Sequence, residues 1–272
     1  MLKLDLSTLP VKPAGFGHCA VCAYRETGTP ALCFTCARER LERLSATKCK
    51  ICDRPLSAGE TCSNPICSSG DRQFQWNYAV AMRSGHLQNA INSYKYQDKK
   101  EWAQIFARVL VGFLDEEAKT FSQFNLIVAS PSYLSQVDGR VWDHTRRVTE
   151  LAYTFSGGRW PFDIGDRPAI IKTAATSKMT GNGWAERKYI AQTDLRDALA
   201  IPNPQKTAGK VILVYDDVFT GGLTLNEIAR CLKEKGGSRA VCGVTLARQP
   251  VCRQNLLDKL AKGLRENLAH RG

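Results

Sequence analysis

The chain reads as an α/β fold, a parallel sheet flanked by helices, preceded by a small metal-stapled module. Three observations lead there. Val211-Ile212-Leu213-Val214 is a fully apolar run that closes on two carboxylates, Asp216 and Asp217, a Thr220-Gly221-Gly222 turn and a periodic segment from Thr224. Two more apolar runs, Phe124 to Ser130 and Ala240 to Ala247, alternate with helical patterns, as βαβ units require. Eight of the eleven cysteines stand within residues 18–67.

With 272 residues the chain has room for one large or two modest domains. Its 43% hydrophobic and 24% charged residues are those of a soluble globular protein. The formal net charge is +12. Eight thiolates holding two zinc ions would bring it to about +8. That balance favours anionic partners, nucleic acid or phosphorylated small molecules, and no compact Lys/Arg run chooses between them. No apolar stretch approaches a membrane span, and MLKLDLSTLPVKP lacks the apolar core of a signal peptide. A cytoplasmic protein with reduced cysteines is expected.

Residues 1–17, with Pro10, Pro13, Gly15 and Gly17, read as an irregular lead-in. The cysteines then run Cys19-x2-Cys22, Cys33-x2-Cys36, Cys49-x2-Cys52 and Cys62-x4-Cys67. Pairs two apart form knuckles whose thiolates point at one ion, and two knuckles complete a tetrahedral site. Regular pairs favour zinc over an iron–sulfur cluster. The simplest pairing is sequential: Cys19, Cys22, Cys33 and Cys36 on one ion, Cys49, Cys52, Cys62 and Cys67 on the other. A cross-brace would use the same residues. The module either binds a partner or serves as a staple for a segment too short to bury its own core. Phe34 to Leu44 is expected as a short helix.

Gln73 to Met82 carries enough alternation for a first strand. From Leu87 to about Lys119 the apolar residues recur at three and four, and Gln97-Asp98-Lys99-Lys100 divides this stretch into two helices. Phe124 to Ser130 is the second strand, stopped by Pro131. A polar loop with Gln136, Asp138, Gly139 and Arg140 follows. Asp143 can cap a helix from about His144 to Phe155; Arg146 and Arg147 are assigned to its solvated face. Ile170 to Ile190 is polar and glycine-bearing. Asn203 to Gly209 leads into the central strand. Thr224 to Lys235 is a helix stopped by Gly236-Gly237, Ala240 to Ala247 a buried strand, and Asn255 to Ala269 an amphipathic helix.

The acidic strand end and its turn are the candidate site. Ligands of open α/β sheets bind beyond the carboxyl ends of the strands. Glycines let the backbone approach an anion, and the free N–H groups of a helix start hold it. The paired carboxylates suit vicinal hydroxyls of a ribose or a divalent ion. An ordinary capped turn would fit one Asp, whereas two after an apolar strand, followed by Thr-Gly-Gly-x-Thr, fit it poorly.

These residues resemble the ribose-phosphate signature of type I phosphoribosyltransferases. That signature usually has a second Thr where Gly221 stands and a smaller aliphatic where Phe219 stands. A narrower resemblance is to the ComF family, competence-associated and similar to phosphoribosyltransferases. It rests on the Cys-knuckle N-terminus, Tyr94-Lys95-Tyr96, the loop after the second strand and the Asp-Asp strand, in that order. That family typically shows Arg-Gly-Phe-Asn-Gln where this chain has Arg140-Val141-Trp142-Asp143-His144, and many relatives have four cysteines where this chain has eight.

The resemblance implies a zinc module at 1–72 and a phosphoribosyltransferase-like domain at 73–272. In it Asp216 and Asp217 hold ribose hydroxyls, and Thr220, Gly221, Gly222, Leu223 and Thr224 hold the 5′-phosphate. The loop with Ser130, Pro131 and Arg140 receives pyrophosphate, and a lid carries Lys178 and Arg187. The implied ligand is 5-phosphoribosyl 1-pyrophosphate with Mg²⁺, as a possible transferase without a side-chain nucleophile. The alternative is a non-catalytic accessory protein of DNA uptake that meets single-stranded DNA or a helicase partner through the zinc module.

Overall fold

The computed structural model describes residues 41–42, 44–135, 141–177, 179 and 181–250. Cys19, Cys22, Cys33, Cys36, Arg140, Lys178 and the helix expected from Asn255 lie outside these residues. The helix expected to end at Leu44 does not cover Leu41, Glu42 or Leu44, which are irregular.

Four parallel strands form the sheet: β1 (Asn77–Met82), β2 (Leu126–Ala129), β5 (Val211–Phe219) and β6 (Ala240–Arg248), in the order β1-β6-β5-β2. A small antiparallel pair, β3 (Ile171–Lys172) and β4 (Leu199–Ala200), stands apart. Helices α1 (Pro65–Ser68), α2 (Gly85–Tyr96), α3 (Trp102–Glu116), α4 (Ala118–Phe121), α5 (His144–Phe155), α6 (Trp184–Ile190) and α7 (Leu223–Glu234) complete the regular elements. A π-helical turn, Ala191–Leu195, and a last α turn, Arg196–Ala198, continue α6.

The central strand is covered on both faces, which is why it reads as an unbroken apolar run. Val211, Leu213 and Tyr215 pack into one cluster with α2, α3 and α5. Ile212 and Val214 pack into a second, with Ile228 and Leu232 of α7 and with Cys49, Cys52 and Ile66. Ile212 and Leu213 have no exposed surface, and truncating either to Ala costs about 2–5 kcal/mol. Helix α3 is buried around most of its girth, from Trp102 through Val111, and so lacks a polar face there.

Local signals set the boundaries. Asp98 takes φ +53° between α2 and α3, at the expected break. Asp143 caps α5, accepting from the Arg146 amide at 3.0 Å. Helix α7 begins one residue earlier than expected, at Leu223, because Gly222 turns the chain at φ +88°. The segment expected as a polar loop at 170–190 carries strand β3 and helix α6. No helix among the described residues is long and apolar enough to cross a membrane.

Candidate functional site

Strand alternation sends Asp216 and Asp217 to opposite faces of the sheet. Asp217 is buried, and helix α2 brings Lys95 to it, with Nζ 2.7 Å from both carboxylate oxygens. His144, the first residue of α5, places Nε2 3.1 Å from Oδ2. Burial would raise the pKa of Asp217, but Lys95 and then His144 outweigh it and hold the group well below the usual carboxylate range. Tyr94, the neighbour of Lys95, is buried and donates to the His144 carbonyl at 2.6 Å, which fixes α2 against α5. Tyr96 of the same trio points to solvent.

Asp216 is only half-buried, and its Oδ1 accepts from the Asp217 amide at 2.9 Å. Burial, then repulsion from Asp217, pushes its pKa up to about 7. At neutral pH this carboxyl is therefore poised between forms, and a cation or hydroxyl donor would draw it to the charged one.

The turn that follows is shaped by its surroundings. A Cβ on Gly222 would stand 2.6 Å from Phe219 Cζ and 3.2 Å from Ile66 Cγ2. At Gly221 it would meet Trp184 Cζ3 at 3.0 Å. The second Thr of the resembled signature is thus missing where the Trp184 ring lies on the backbone. Among the described residues, the amides of Gly221, Gly222 and Leu223 make no backbone hydrogen bond. Three free donors at the start of a 12-residue helix favour an anion there.

Of the other expected site residues, Ser130 is buried, its amide donating to the Tyr215 carbonyl at 2.7 Å and its carbonyl accepting from Thr145 Oγ1 at 2.6 Å. Pro131 lines a cavity of about 400 Å³ with Tyr133, Arg146, Asp163 and Lys172. Arg146 is held by Glu150 at 3.0 Å. Arg187 lies within α6, one turn after Trp184.

The four cysteines Cys49, Cys52, Cys62 and Cys67 converge, with their sulfurs within 4.8 Å of one another. The Cys49–Cys67, Cys52–Cys62 and Cys62–Cys67 separations are 3.8, 3.7 and 3.8 Å. A tetrahedron with metal–sulfur bonds of about 2.3 Å has edges of about 3.8 Å, so the donor set fits a zinc ion. This grouping is the sequential pairing. The knuckle docks on the sheet: Asp53, at φ +54°, accepts from the Ala79 amide at 2.9 Å, and the Asn77 amide donates to the Ile51 carbonyl at 2.8 Å. The hydrogen bond from Cys67, against burial and with help from Arg248, draws the Cys52 pKa down to about 4.

Three residues of this region escaped the sequence reading: Lys95 and His144, noted only as parts of a motif, and Arg248. The signal for Arg248 was present, since it closes the otherwise apolar run AVCGVTLAR, and a charge there requires buried partners.

No protein-family model matches the chain. The chain is 21% identical over 226 residues to the competence protein ComFC of Bacillus subtilis (strain 168), covering 80% of this chain and 84% of that protein. The similarity to that competence protein therefore extends over most of the chain, alongside the Asp-Asp strand, the Lys95 helix and the converging cysteines.

Proposed function

We propose that the chain binds 5-phosphoribosyl 1-pyrophosphate, or a closely similar phosphorylated sugar, at the end of β5. One observation carries the reading: a half-open carboxylate, Asp216, is followed within a few residues by a turn at a helix start whose three amides, among the described residues, make no backbone hydrogen bond. Thr220 to Thr224 would take the 5′-phosphate and Asp216 a ribose hydroxyl. The Ser130–Arg140 loop would receive pyrophosphate, with Lys178 and Arg187 on the covering side. Mg²⁺ in this reading travels with the pyrophosphate, and Asp216 is the carboxylate open to it. Cleavage of the anomeric bond would leave a cationic sugar stabilised by fixed charges, with no side-chain nucleophile.

In this reading the cysteines hold zinc as a structural ion, and the relative's name suggests a role connected with competence. Asp217 plays a different part from Asp216, because Lys95 and His144 already engage it. That engagement also favours a second reading. A site with one working carboxylate suits a phosphate-sensing accessory protein whose metal module and basic surface meet single-stranded DNA or a helicase.

The experiment that separates them is calorimetric titration of the zinc-loaded chain with phosphoribosyl pyrophosphate. Saturable binding that requires Mg²⁺ and disappears in Asp216→Asn supports the first reading. No binding at millimolar ligand sinks it.

A further inference from the structure

Arg248 stands at the end of β6, buried, with its guanidinium shared between two places. On one side Nε donates to the Cys52 carbonyl at 2.7 Å, and an Nη lies 3.6 Å from Cys52 Sγ. On the other it donates to the carbonyls of Phe219 at 3.1 Å and Thr220 at 3.0 Å, and lies 5.0 Å from the centre of the Phe219 ring. The same cation thus touches a ligand of the cysteine centre and the two peptide groups that open the anion turn.

Peptide geometry gives this contact a consequence. In a trans peptide the C=O and N–H point in opposite directions. Drawing the Phe219 and Thr220 carbonyls toward Arg248 turns the amides of Thr220 and Gly221 the other way, away from Arg248. Ile66, which sits between the ligands Cys62 and Cys67, supports the next residue from the same side by packing at Gly222. Phe74 adds an edge-on contact to Phe219 with ring centres 6.0 Å apart. A thiolate centre attracts a guanidinium more strongly than neutral thiols do, and a filled site fixes where that charge stands.

We infer that Arg248 is a positioning residue that couples the four-cysteine centre to the Thr220–Leu223 turn, so that metal at the centre and phosphate at the turn favour each other. The phosphate half rests on the function proposed above; the coupling itself does not. The cysteine module is then a working wall of the ligand site as well as a staple.

Hydrogen exchange of the full-length, zinc-loaded protein tests the coupling without any ligand. Arg248→Lys keeps charge and bulk but cannot reach Cys52 and both turn carbonyls at once. Exchange at the two amides that donate to this turn, Gln249 on the Phe219 carbonyl and Asn226 on the Gly222 carbonyl, both at 2.9 Å, should rise at least fivefold, with β2 and the zinc content unchanged. Unchanged exchange at the turn would overturn the inference. So would faster exchange throughout the chain, which would mark a general structural role. Linkage supplies the second arm in the wild type, because the coupling must be reciprocal. Ribose 5-phosphate should slow zinc transfer to a chelator at least threefold, and less so in Arg248→Lys. Binding of ribose 5-phosphate with no effect on zinc transfer would contradict the coupling. No binding at all would instead remove the proposed function and leave the exchange result as the judge of Arg248.

Discussion

Asp216 and Asp217 share a peptide bond, yet the alternation of β5 gives them different lives. Asp217 faces α2 and α5, buried, with Lys95 at 2.7 Å and His144 at 3.1 Å. Asp216 faces the side of α7 and the cysteine knuckle, half-open and with its pKa pushed up to about 7. An acidic pair in sequence is therefore not a pair of equivalent ligands. One carboxylate is tied to the helices on its face of the sheet, and the other stands half-open.

Four substitutions probe that contrast. The largest effect is expected from Cys52→Ser on the open side. Structural zinc contributes about 10–16 kcal/mol of binding free energy to zinc-finger folding, so loss of one thiolate and of the Arg248 contact should cost about 5 kcal/mol. Thermal melts with metal analysis would show a lowered midpoint and substoichiometric zinc. On the closed side, Asp217→Asn leaves Lys95 without its counter-charge and should cost about 3–5 kcal/mol in urea unfolding. If it cost nothing, the closed half of the contrast would fall.

Gly222→Ala tests the turn between them. At φ +88°, with the new Cβ 2.6 Å from Phe219, it should cost more than the ~1–2 kcal/mol of a left-handed residue alone, and weaken phosphate binding. The smallest effect is a gain. The raised pKa of Asp216 means that the folded protein favours the protonated form. That stability is complete below the unfolded value near 4 and is lost as pH rises through about 7. A rise from about 4 to about 7 corresponds to about 4 kcal/mol, and solvent screening of this half-open carboxyl roughly halves that, so Asp216→Asn should stabilise the unliganded protein at pH 8 by about 2 kcal/mol, and the gain should vanish at pH 4. Asp217 has the opposite sign, because its depressed pKa contributes stability above pH 4 that is lost as pH falls. A melt series over pH would read both.

What the sequence disclosed follows the range of the interactions. The β5 strand, its turn and α7 are local patterns, and so is Asp143 as the cap of α5. The break at Gln97–Lys100 was legible because it interrupts a helical period. The four converging cysteines were legible from spacing, since a knuckle is itself a short-range device. The roles of Lys95, 122 residues from Asp217, and of Arg248, 196 residues from Cys52, were not. Such contacts depend on which helix crosses which strand, and no local periodicity encodes that. Trp184 over Gly221 is of the same kind, and it accounts for Gly221 where the resembled signature has a second Thr.

We propose that Asp216 and the turn after it form a working ribose-phosphate site. Its most direct test is calorimetry of the zinc-loaded wild type and Asp216→Asn with phosphoribosyl pyrophosphate, with and without Mg²⁺. Saturable, Mg²⁺-dependent heat is expected for the wild type and none for the variant. Absence of binding by the wild type at millimolar ligand, or equal binding by both, would contradict it.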